Sequence, residues 1–92
     1  MKKCTYLINS VRHDIRLVDP WTEKYRVVNV QELIPYFINW AAESQVIFNI
    51  PKVKTNECMK IQLVGHPNDI QTVMFNFIKF AGNNFIYKKV LF

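Results

Sequence analysis

The run "ECMKIQLVGHPNDIQTVMFNFIKFAG" (residues 57–82) changes its hydrophobic period half-way, and the reading of the whole fold depends on that change. In its first part Met59, Ile61 and Leu63 alternate with Lys60, Gln62 and Val64. A period of two is that of a strand with one buried face. In its second part Ile70, Val73, Met74, Phe77, Ile78 and Ala81 recur at spacings of three and four, the pattern of a helix with one apolar stripe. Between them "HPND" has start chemistry: Pro67 precedes the helix and Asn68 or Asp69 can cap it, while Gly82 suits the stop.

Working outward, "NFIYKKVLF" (84–92) reads as a closing strand and "QVIFNIP" (45–51) as a strand joined to "ECMKIQLVG" through the loop "KVKTN". Upstream, "NVQELIPYFINWAAES" (29–44) reads as a second helix. Its stripe is Val30, Leu33, Ile34, Phe37, Ile38, Ala41 and Ala42. Asn29 with Glu32 three residues on resembles a capping box. Pro35 lacks a backbone donor and clashes with the carbonyl four residues back, so either the first turn is separate or the helix kinks there.

The order α-β-β-α-β then needs one strand before it. "KKCTYLINSV", over residues 3–10, and "YRVVNV" both qualify as that first core strand. "DIRLV" and "KYRVVN" flank "DPWTE", whose Asp-Pro is turn chemistry. The expectation is a single α+β domain spanning residues 1–92. Its core is ferredoxin-like, βαββαβ, with two helices on one face of an antiparallel sheet, plus an N-terminal β-hairpin. Leu33, Phe37, Val73 and Phe77 are its expected core centres.

Composition narrows the function. Half of the 92 residues are hydrophobic and 14% aromatic, with two glycines, which suits an ordered core. The formal charge is +5 and the pI about 9.4, a balance that favours acidic partners. The lysines alternate with apolar residues and form no dense basic run. Cys4 and Cys58 lack the spacing of a disulfide framework. "CTYLIN" is too short for the apolar region of a signal peptide, and no apolar run reaches the about 18 to 20 residues that span a bilayer. A cytoplasmic protein without membrane association is expected. Ile, Asn, Lys, Phe and Tyr, specified by A/T-rich codons, supply 39 of the 92 residues, which points to a low-GC source such as a Firmicute, a phage or another mobile element.

The chemistry-bearing residues are sparse. His13 and Asp14 are adjacent, so on a strand they point to opposite faces and form no dyad. No Ser or Cys stands in a nucleophile elbow. Cys4, His13, Cys58 and His66 provide no close chelating pair for a metal. Gly65 and Gly82 alone cannot build a phosphate-cradling loop. No enzyme, cofactor or metal site is expected.

Binding remains. Period two places Arg16, Arg26, Asn49, Lys60 and Gln62 on the sheet face away from the helices, a polar and mildly basic surface suited to phosphates. The five residues "YLINS" resemble the first-strand motif of RNA-recognition domains. "CMKIQLVG" departs from that pattern, lacking the third-strand aromatics that stack bases, and no family is assigned on it. The same face is expected to carry Val18, Val28, Ile47 and Val64, a mixture of apolar and charged groups suited to a protein interface. Trp21, Tyr36, Trp40, Phe75 and Phe80 are surplus to one small core, and Trp, Tyr and Arg dominate binding hot spots. The expectation is a non-enzymatic protein that docks stoichiometrically on a partner protein, as an inhibitor or adaptor, with Arg16, Trp21, Arg26, Lys60 and Gln62 at the contact. The alternative is a single-stranded nucleic-acid-binding module using those same residues. Homodimerisation through the open sheet or an edge strand is compatible with the docking reading.

Overall fold

The computed structural model describes residues 1–14, 25–53 and 56–90, with the backbone alone at 13–14, 25–26 and 52–53. The elements in chain order are β1 (Lys2–Ser10), β2 (Arg12–Asp14), β3 (Tyr25–Val27), a 3-10 turn (Val30–Leu33), α1 (Ile34–Glu43), β4 (Ile47–Val53), β5 (Cys58–Gly65), α2 (Pro67–Ala81) and β6 (Phe85–Val90). The protein is α+β: a four-stranded antiparallel sheet in the order β4-β5-β1-β6, with two α-helices.

The strand that enters this sheet between β5 and β6 is Lys2–Ser10. It pairs Tyr6 with Ile61 on one side and Ile8 with Tyr87 on the other. The competing "YRVVNV" does not enter it. Tyr25–Val27 pairs instead with Arg12–Asp14 as a separate two-stranded sheet. Length decides between the two: nine consecutive residues can satisfy ladders on both edges of a central strand, and three cannot. The described part of that small sheet is tied to the β4–β5 turn by an exposed Arg12–Glu57 ion pair at 3.2 Å.

Alternation divides the main sheet into two faces. Ile8, Met59, Ile61 and Leu63 have no solvent exposure and pack with Leu33, Phe37, Ile70, Val73 and Phe77 from the helical side. The expected core centres therefore hold. The Phe37 ring lies 5.3 Å from Phe77 and 5.4 Å from Phe48 of β4, both stacked. These offset pairs add about 0.5 to 1.5 kcal/mol each beyond area burial.

Several local expectations are refined. Pro35 causes no kink, because Val30–Leu33 forms a separate 3-10 turn and Pro35 falls in the first turn of α1, where its missing donor has no intrahelical role. Asn29 does cap, its side chain accepting from Gln31 N at 2.8 Å. In α2 the cap is His66 rather than Asn68 or Asp69. Its Nδ1 accepts from Asn68 N at 3.2 Å, because the helix already begins at Pro67. Gly82 ends α2 at φ 55°, ψ −125°, a conformation close to glycine-only. Ile38 and Ile78, assigned to the buried stripes, are 56% and 45% exposed. Each stands about 100° around its helix from the central Phe37 or Phe77, at the margin of the face that meets the sheet.

Candidate interaction surfaces

Two surfaces could meet a partner, and they differ in chemistry. The first lies where α2 passes β6. These elements are antiparallel and joined by the tight Gly82 turn, so the N-terminal half of the helix runs beside the end of the strand. Between them is a groove of about 680 Å³ whose walls include Tyr6, Met74, Phe75, Ile78, Tyr87 and Lys89. Phe75 is 60% exposed and Tyr87 45%. Tyr87 is held by edge-on contacts with Tyr6 at 6.1 Å and Phe77 at 5.9 Å. Burial, with the Cys4 thiol beside it, pushes the Tyr6 hydroxyl up to about 12, so it is neutral at physiological pH. Lys79 lies 5.1 Å above the Phe75 ring. The groove is mostly apolar, with Asn68, Gln71, Thr72 and Lys89 as its polar lining, and among the described residues no carboxylate lines it.

Beside the groove runs the outer edge of β6. One of its edges pairs with β1, and among the described residues no strand pairs with the other. The opposite edge of the sheet, β4, is also unpaired but irregular. Its register slips between Asn49 and Lys52, one extra residue opposing β5, and the exposed Pro51 in that bulge has no N–H to donate. Bulges and prolines blunt an edge against strand addition. β6 has neither over its six residues.

The second surface is the sheet face away from the helices. Register places Asn49, Gln62, Thr5 and Val90 in one row and Lys60, Leu7 and Lys88 in the next. Among the described side chains, Lys3, Lys60 and Lys88 stand on this face and no Asp, Glu or aromatic does. At its end a hollow of about 670 Å³ is lined by Lys2, Lys3, Thr5, Gln62, Lys89 and others, with no carboxylate among the described residues.

The residues singled out in the sequence fare unequally. Lys60 and Gln62 are on the open face as expected, two positions apart on β5, with Asn49, Ile47 and Val64. Arg16, Trp21 and Val18 lie outside the described residues, as does the side chain of Arg26. The backbone of Arg26 belongs to β3 and so to the small sheet. Val28 is corrected: it packs against the core instead of lying on the open face. Trp40 is half-buried, with Tyr36 and Phe80 4.3 Å apart beside it, capping the seam between the helices. Lys3, Leu7 and Lys88 join the open face only through the strand neighbours of β1, which no local pattern names. Ile78 and Tyr87 escape a sequence reading because each fits a regular buried pattern.

Among the described residues no three His, Cys, Asp or Glu side chains cluster as a metal site would require, and no helix is long and apolar enough to cross a membrane. No protein-family model matches the chain, and neither a curated protein nor a solved structure does.

Proposed function

We propose that the chain is a non-enzymatic binding protein that acts by docking on a partner protein, as a small inhibitor or adaptor. The observation that carries this reading is the apolar groove between α2 and β6. In a 92-residue chain Phe75, Ile78 and Tyr87 stay substantially exposed around one concavity. Contiguous apolar exposure of that kind marks interaction sites more often than solvated surface. The strand order β4-β5-β1-β6, antiparallel throughout, together with helices following β1 and β5, supports a ferredoxin-like reading of the core. On that reading β2 and β3 belong to a hairpin inserted after the first core strand. A low-GC source and a cytoplasmic setting complete the proposal, resting on codon-linked composition and on cysteine usage. Affinity capture from a low-GC host lysate should return one stoichiometric protein. Recovery of none, together with turnover of any substrate, would overturn docking.

The open basic face favours one second reading, a module for single-stranded nucleic acid. Lys3, Lys60 and Lys88, with no carboxylate on this face among the described residues, suit phosphates. The described part of that face has no aromatic for bases to stack on, which ranks this reading second. In a salt titration with labelled single-stranded RNA and DNA, changing Arg16, Arg26 and Lys60 together to alanine should flatten the slope by roughly two to three contacts' worth if it is correct. Binding weaker than about 100 μM at physiological salt is generic attraction and leaves docking in front.

A further inference from the structure

We propose that the outer edge of β6 and the groove beside it bind an extended segment of the partner, which adds a strand to the sheet and alternates apolar with acidic side chains. This inference rests on the docking reading and names the chemistry of what docks. Three observations carry it. The outer edge of β6 is unpaired among the described residues and has neither the bulge nor the proline that blunt β4. A backbone laid along such an edge finds N–H and C=O groups already in strand geometry.

Sidedness comes next. Side chains of an added strand alternate between the two faces of the sheet. Those on the helical side would enter the groove at Tyr87, Ile78 and Phe75 and should be apolar. Those on the other side would stand next to Ile86, Lys88 and Val90, the outward positions of β6. Lys88 there favours carboxylates, while Lys89 in the groove lining and Lys79 over the Phe75 ring add a longer-range attraction for an acidic segment as a whole.

Charge also decides between a foreign segment and a second copy. Two β6 strands laid edge to edge would bring Lys88 and Lys89 of both copies into one short strip, on chains that each have a formal charge of +5. Like charges across strands are destabilising. An acidic segment meets the same edge with attraction, which favours a segment of another protein over a second copy.

The test uses the full chain and a fluorescein-labelled peptide of about ten residues alternating valine and glutamate, long enough to cover the edge. Fluorescence anisotropy should show it binding at least about tenfold tighter than the peptide alternating valine and lysine. Of two versions N-methylated on alternate residues, one should lose at least about tenfold and the other little, because only one set of amides faces the edge. Ile78→Glu should lose a similar factor, and Lys88→Glu should erase the preference for glutamate. Both residues are exposed, so circular dichroism should show both variants folded. Equal affinity for the two unmethylated peptides, or indifference to Ile78→Glu and to both methylation patterns, would overturn the proposal. So would self-association in solution that Ile78→Glu abolishes, since the second copy would then occupy the edge. A stoichiometric lysate partner retained equally by the Ile78→Glu protein would remove the proposal while leaving docking itself intact.

Discussion

The two faces of β5 show what regular alternation does and does not decide. Met59, Ile61 and Leu63 are completely buried, whereas Cys58, Lys60, Gln62 and Val64, one position away in each case, are all intermediate. On the helical side each residue is constrained by close packing, and its replacement is felt at once. On the other side lysine, glutamine and valine share a surface that tolerates any of them. Stability is therefore concentrated on one face. The other face, with the flanks of the helical layer, is left without that packing constraint.

The largest expected contrast lies between two phenylalanines of α2. Phe77 is 1% exposed and Phe75 60%. Phe77→Ala, like Phe37→Ala, should cost roughly 3 to 5 kcal/mol in denaturant unfolding, a large share of a small domain's stability. Phe75→Ala should stay within about 1 kcal/mol, losing an exposed contact with Lys79. If Phe77→Ala unfolded at the same denaturant concentration as the wild type, the assignment of the helical faces would be wrong.

Gly82→Ala comes next. An added Cβ would meet nothing within 4 Å, so the cost is that of the backbone conformation, about 1 to 3 kcal/mol. A loss well below that range would show that the α2–β6 turn relaxes, and with it the alignment of the groove.

A smaller effect is expected from Tyr6. Its folded-state value is raised, so the native protein holds the phenolic proton more tightly than the unfolded chain does. That stability is fully present below about pH 10, the unfolded value, and is lost as pH rises through about 12. Compared from pH 8 upward, the melting temperature of the wild type should fall relative to that of Tyr6→Phe above pH 10, because the variant has no phenol to titrate. A constant difference would mean that the hydroxyl is solvated in the folded state.

The smallest effects belong to the open face. Lys60→Ala and Gln62→Ala should each change stability by no more than about 0.5 kcal/mol. A loss above 1 kcal/mol from either would show that this face is packed, and would remove its contrast with the buried side.

Particular residues show how much of the fold and of the groove is legible in the sequence. Met59 to Leu63 and Ile70 to Phe77 can be assigned because the side-chain period of a strand or a helix is fixed by backbone geometry alone. Lys60 and Gln62 fall on the open face for the same reason. The groove is not legible. Tyr87 and Ile78 satisfy their local patterns as core residues, and their exposure depends on β6 being an edge strand and on where α2 crosses it. Strand order follows from pairings between residues far apart in sequence, such as Cys4 with Leu63 and Ile8 with Tyr87, which no local period encodes.

By itself, then, the sequence determined the type and sidedness of the elements, the positions of the core centres, and the basic, motif-poor character of the surface. These are properties of short windows and of summed composition. Only the tertiary structure decided that Lys2–Ser10 and not "YRVVNV" enters the sheet, that β4 is blunted and β6 is not, and that Phe75, Ile78 and Tyr87 line one groove. Those outcomes depend on which distant segments win the available hydrogen-bonding edges and buried surface, a competition settled by the whole chain at once.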